Sequence, residues 1–183
     1  MRVVGGIYRS RAIVMPKGAD IRPTQDKVRQ AIFNILQDVQ GTEVLELFAG
    51  SGAFGIEALS RGARHVTFVD NNPHCIRTIK KNLESLKILP AFYTIIKANA
   101  LETIALLHTQ RKMFNLVFLD PPYHQDLAKK CLISLNAYVI VNPSSLVVTE
   151  HFKCDELPND LDNFSLLTER KYSDTRISIY RAR

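Results

Sequence analysis

Tryptophan is absent from the 183-residue chain, and cysteine is scarce at three residues. Cys75, Cys131 and Cys154 are odd in number, widely spaced and without a CxxC pair. That excludes a disulfide framework and a cysteine-type zinc site. The histidines at 65, 74, 108, 124 and 151 show no HExxH spacing, so no metal is expected. No apolar run approaches the ~18 residues of a membrane span. The opening MRVVGGIYRSR has no apolar core of a secretory signal, which predicts a cytoplasmic protein. There is no internal repeat and no low-complexity segment. With 46% hydrophobic residues, the composition is that of a folded globular protein. The length fits one domain with a small appendage.

Charge is plentiful and unevenly placed. The net charge is +6. Residues 1–40 hold seven Lys and Arg against three Asp, a surplus of four in under a quarter of the chain. A basic end points to an anionic partner, of which nucleic acid is the commonest. Residues 1–22 alternate short β-prone pairs with Gly5-Gly6 and Pro16-Lys17-Gly18, the pattern of a hairpin or extended arm. The division expected is therefore a basic arm over 1–22 and a catalytic domain over 23–183. Thr24 is a good helix N-cap, and Val28, Ile32, Ile35 and Leu36 recur at helical spacing behind it.

Beyond Gly41, strands and helices alternate. Strands are predicted over 42–48, 66–69, 92–96, 114–119 and 146–149, with helices over 53–61, 73–86, 100–108 and 127–135. Two further strands, 166–172 and 177–180, flank Ser173-Asp174-Thr175 too closely for a crossover, so they form an antiparallel hairpin. The fold class expected is α/β, an open, mostly parallel sheet with an antiparallel C-terminal hairpin and helices on both faces. Ligands of such sheets bind beyond the carboxyl ends of the strands.

Two strand ends carry chemistry. The first reads Glu46-Leu47-Phe48-Ala49-Gly50-Ser51-Gly52, with Gly55 three residues on. This GxGxxG turn suits either a pyrophosphate or a nucleoside-type cofactor without phosphate. Glu46 favours the second, because a buried carboxylate asks for a cationic partner such as an amino-acid ammonium or a sulfonium and repels pyrophosphate. Asp70, at the tip of the second strand, is placed to accept from ribose hydroxyls or to cap the next helix. The second corner is Asp120-Pro121-Pro122-Tyr123. Its prolines fix the backbone. Asp120 and the Pro121 carbonyl are two acceptors beside the flat face of Tyr123, a set that fits the exocyclic amine of a stacked base, with stacking worth about 1–3 kcal/mol. Accepting from that amine localises its lone pair for attack on a methyl group, after the base has left its stack.

These residues resemble the RsmD family of class I methyltransferases, which methylate N2 of a guanine in bacterial 16S rRNA. The resemblance runs from Met1-Arg2-Val3-Val4-Gly5-Gly6 through Arg22-Pro23-Thr24, the glycine turn, Glu57-Ala58-Leu59-Ser60-Arg61-Gly62-Ala63 and the tetrapeptide to Glu150-His151 and Asp174-Thr175-Arg176. It implies a Rossmann-like methyltransferase sheet and S-adenosylmethionine as cofactor. The cofactor would be held by Thr24, Glu46, Phe48, Ala49, Gly50, Gly52, Asp70, Asn71, Asn99 and Ala100. It implies catalytic roles for Asp120, Pro121, Pro122 and Tyr123, and rRNA contacts from Arg2, Arg9, Arg11, Lys17 and Arg22. The substrate would be 16S rRNA, alone or in a partly assembled small ribosomal subunit, and the enzyme a monomer. One departure is Asn99, where related enzymes place an Asp toward the cofactor's adenine. The alternative enzyme is an N6-adenine DNA methyltransferase with the same tetrapeptide, for which the chain has no length left for a DNA-recognition domain. A nicotinamide dehydrogenase and a non-catalytic RNA-binding module fit less of the pattern.

Overall fold

A computed structural model of the chain describes residues 1–16, 26–123 and 126–183. It divides into two units, Met1–Lys97 and Ala98–Arg183. In the first unit, β1 (Glu43–Leu47), β2 (His65–Asp70) and β3 (Tyr93–Lys97) pair in parallel in the order β3-β2-β1. Apart from their first residues, β1 and β2 are buried throughout, as parallel strands covered on both faces must be. The helices are α1 (Asp26–Leu36), α2 (Ala53–Ser60) and α3 (Pro73–Ser85). Asn72 caps α3 through His74 N–H at 2.8 Å, and Cys75, Ile76, Ile79 and Leu83 form its buried stripe. The predicted cap of α1, Thr24, lies outside the described residues.

Helix α2 is buried along its whole length, including Glu57 and Ser60. What covers those two polar groups is the N-terminal segment. Residues 1–13 form a hairpin, with Arg2 bridged to Ala12 and Val3 N–H donating to Arg11 O at 3.0 Å. Val3 and Ile13 are buried. Glu57 accepts from Val4 N–H at 2.8 Å, while Ser60 Oγ accepts from Tyr8 N–H at 2.9 Å and donates to Gly5 O at 2.6 Å. Gly6 lies at φ +70°, and a Cβ there would sit 1.8 Å from the Ser60 carbonyl oxygen. Only glycine permits that approach. The arm is thus docked on α2, with Arg2, Arg9 and Arg11 left exposed.

In the second unit, α4 (Ala100–Thr109), β4 (Phe114–Leu119), α5 (Leu127–Ala137) and β5 (Val141–Phe152) precede β6 (Asp160–Leu161), β7 (Phe164–Tyr172) and β8 (Thr175–Ala182). The strand order is β4-β5-β8-β7-β6, with β4 and β5 parallel and the rest antiparallel. Strand β5 begins five residues before the predicted start. Pro143 and the positive-φ Ser144 sit in a register shift, and Ser145 Oγ donates to Phe114 O at 3.0 Å to hold it. A proline inside the strand hides such a bulge from a pattern reading. Among the described residues no helix is long and apolar enough to cross a membrane.

Candidate active site

The glycine turn after β1 is built from strained backbone. Phe48, Gly50 and Gly52 all have positive φ, at 58°, 56° and 76°. Phe48 is a non-glycine residue in the left-handed region, a conformation that carries a cost and clusters at functional turns. The turn is held by Ala49 N–H to Val69 O at 3.0 Å and Gly52 N–H to Ala49 O at 2.7 Å. A Cβ placed on Gly50 would meet only the Phe48 carbonyl, at 3.9 Å. The main chain there is open to a ligand lying directly against it, which fits a nucleoside-type cofactor.

Both acids beside this turn are engaged by backbone. Glu46, 3% exposed, accepts from Phe54 N–H at 3.2 Å and Gly55 N–H at 2.9 Å. Gly52 caps α2 without a side chain, so the Glu46 carboxyl closes the helix's open amides from beneath. Gly55 is required for this: its Cβ would lie 2.7 Å from Glu46 Oε2 and 2.4 Å from the Phe68 ring. The expected cationic partner of Glu46 is thus preceded by two amides. Asp70 accepts from Gly50 N–H and from Asn72 N–H, each at 2.8 Å, tying the end of β2 to the glycine turn. The capping of α3 falls to Asn72, and the Asp70 carboxylate also hydrogen-bonds with the Cys75 thiol. Asn71 follows, exposed.

Burial pushes the Glu46 carboxyl up to about 8, against the pull of the two amides and Arg29. Its proton is then bound more tightly in the folded chain than in the unfolded one. The contribution is fully present below pH 4.5 and is lost as pH rises toward 8. The folding equilibrium of the parent is expected to weaken by up to about tenfold per pH unit in that window, relative to Glu46→Gln. Urea denaturation of both proteins at several pH values reads the difference. Parallel curves would contradict it.

In the second unit, Asp120 is half-buried at the end of β4, Pro121 is buried, Pro122 exposed and Tyr123 half-buried. The Tyr123 hydroxyl is 2.6 Å from Thr175 Oγ1 and donates to Glu150 Oε1 at 3.3 Å. Its ring meets Phe152 at 5.8 Å between centroids. Burial first, then the Glu150 and Asp120 charges, push the phenol up to about 12, against a hydrogen bond from Thr175, so it stays neutral. Asn99 is exposed and caps α4, its Oδ1 accepting from Leu101 N–H at 2.9 Å, which leaves its amide NH2 as a donor. Ala100 is buried beside it.

Lys17, Arg22 and Thr24 lie outside the described residues. Among the described residues no cluster of His, Cys, Asp and Glu could hold a metal ion. Two structurally engaged residues have no role assigned from the sequence. Asn82, fully buried in α3, donates to Val14 O and Ser51 O at 3.0 and 2.9 Å and accepts from Val14 N–H at 2.9 Å, joining the arm to the glycine turn. A polar residue beside an apolar helical stripe was the signal. Glu57 is the other, an acid alone in an otherwise apolar helix.

The family model described as "Conserved hypothetical protein 95" matches residues 1–181. The chain is similar to Ribosomal RNA small subunit methyltransferase D of Haemophilus influenzae, 34% identical over 171 residues, covering 93% of this chain and 88% of that one. The protein of the same name from Escherichia coli K12 is 32% identical over 181 residues, covering 98% and 89%. The solved structure of yhhF from Escherichia coli superposes with a TM-score of 0.84 at 30% identity, covering 100% of this chain and 97% of that one.

Proposed function

Because the chain belongs to the conserved-hypothetical-95, or RsmD, family of S-adenosylmethionine-dependent methyltransferases, we propose that it methylates the exocyclic N2 of a guanine in small-subunit (16S) rRNA. The observation that carries this reading is the corner after β4. There an acid, a carbonyl fixed by two prolines and an aromatic ring anchored at its hydroxyl stand in four consecutive residues. The relatives named for small-subunit rRNA favour RNA over DNA as the substrate.

S-adenosylmethionine supplies, when bound, a methyl carbon on a sulfonium sulfur. Phe48, Ala49, Gly50 and Gly52 would offer it an open main chain, Asp70 and Asn71 would accept from its ribose, and Asn99 and Ala100 would hold its adenine. Glu46 holds the turn through α2. Asp120 and the Pro121 carbonyl accept from the guanine amine and turn its lone pair outward, and Asp120 offsets the positive charge that grows on nitrogen. Tyr123 stacks on the base. Holding two reactants in this way recovers about 7–11 kcal/mol of barrier. The enzyme acts as a monomer in the cytoplasm, on rRNA alone or in a partly assembled subunit.

Methyl-labelled S-adenosylmethionine, offered with naked small-subunit rRNA, small-subunit particles or duplex DNA, tests this. Label in N2-methylguanosine after digestion is the expected result, and label in N6-methyladenine would replace the reading with its alternative. RNA contact is assigned to Arg2, Arg9 and Arg11. Reversing charge at Arg9 and Arg11, both exposed, is expected to lower the slope of log affinity against log salt by about one to two. An unchanged slope would take the arm out of RNA binding.

A further inference from the structure

We propose that Glu150 and Thr175 are positioning residues that hold the Tyr123 ring in place as the stacking face for the substrate base. The proposal rests on the reading of the tetrapeptide given above. Tyr123 follows two prolines that fix its backbone approach. A tyrosine ring still turns about two side-chain bonds, and a plate that swings orders nothing. Its far end is where the chain restrains it. The hydroxyl donates its one proton to Glu150 Oε1, so the phenol oxygen is left to accept from Thr175 Oγ1. Phe152 lies against the ring, tilted by 47°.

These three contacts come from one face of one ladder. Glu150 and Phe152 are two residues apart on β5, and Thr175 of β8 is paired directly with Phe152. Side chains alternate across a strand, so these three point the same way. The neighbours His151 and Arg176, paired with each other, take the opposite face. There His151 Nε2 meets Ser178 Oγ at 2.9 Å, Ser178 contacts Glu169 at 3.1 Å, and Arg176 pairs with Glu169 at 3.3 Å. The dipeptides Glu150-His151 and Thr175-Arg176 therefore divide their work. The first member of each grips Tyr123, and the second ties β5, β8 and β7 together.

The distinguishing readout is coupling through one oxygen atom. Methyl transfer to rRNA is measured at saturating S-adenosylmethionine for Thr175→Val, Thr175→Ser, Glu150→Ala, Glu150→Gln and Tyr123→Phe, and for the doubles with Tyr123→Phe. Thr175→Val and Glu150→Ala are each expected to lower kcat/KM by about five- to tenfold, the scale of one lost hydrogen bond. Thr175→Ser and Glu150→Gln, which keep the hydroxyl and the acceptor oxygen, are expected to stay within about twofold to threefold of the parent. In the Tyr123→Phe background, where no hydroxyl remains to be held, both losses should vanish. Cofactor affinity by calorimetry and the thermal midpoint are followed in every variant to exclude unfolding. Effects that multiply with Tyr123→Phe, or single variants at the parental rate, overturn the clamp. Asp120→Ala in the same assay isolates the other failure: a parental rate there would defeat the reading of the tetrapeptide itself.

Discussion

Asp120→Ala is expected to lower methyl transfer by about 10²–10³-fold while leaving S-adenosylmethionine affinity within about threefold, because one preorganised partner of the developing charge is lost. The two halves of this expectation come from different parts of the chain. Cofactor binding is assigned chiefly to the turn over 48–52 and to Asp70, which hydrogen-bond to Val69, Asn72 and Asn82 of the same unit. Asp120 belongs to the corner after β4 and to the amine. Single-turnover methyl transfer and calorimetry with the cofactor separate them. A variant that loses cofactor binding in proportion to its rate would move Asp120 from the amine to the cofactor. A variant at the parental rate would remove it from the reaction.

The largest expected effect on stability is at Glu57, far from any reacting atom. Its carboxylate is fully buried, accepts from Arg61 Nε and Val4 N–H at 2.8 Å each and lies 3.7 Å from Arg29 Nε. Arg29 is also fully buried, donates through Nη2 to Asp26 and the Arg2 carbonyl, and leaves Nε and Nη1 without a hydrogen bond. Glu57→Leu removes that cation's buried partner and leaves it the half-exposed Asp26 alone. Breaking a buried pair from one side costs about 3–5 kcal/mol, a large part of the about 5–15 kcal/mol that holds a typical domain. The arm also loses the acceptor of Val4, so cleavage within residues 1–16 by a protease should accelerate before global unfolding. Urea denaturation and limited proteolysis read the two effects. A loss below about 1 kcal/mol would mean the pair carries little of the fold.

What was legible in the sequence follows from how local its cause is. Strand β4 appears at its predicted limits because an apolar run is cut off by Asp120 and two prolines. The stripe of α3 is where periodicity put it, since one face of that helix alone is apolar. Strand β5 was read short because Pro143 imitates a loop, and β6 was missed at two residues long. The docking of the arm was invisible for a different reason: Val4 and Tyr8 find their acceptors on Glu57 and Ser60, more than fifty residues away. Glu46 shows the same limit at the site. A charged Glu46 called for a cation, but burial holds the carboxyl's proton up to about pH 8 and the amides of α2 meet its oxygens, neither of which shows in a residue list. The tetrapeptide stands directly after β4, where its acid and prolines end the apolar run. The contacts of the Tyr123 hydroxyl come from β5 and β8, strands not consecutive in the chain, whose register only the fold displays.

The most direct measurement is the nucleoside content of small-subunit rRNA from cells lacking this protein, complemented with the parent or with Asp120→Ala. One N2-methylguanosine is expected to disappear on deletion, to return with the parent and to stay missing with the variant. Undiminished N2-methylguanosine after deletion, or its full return with Asp120→Ala, would contradict the account.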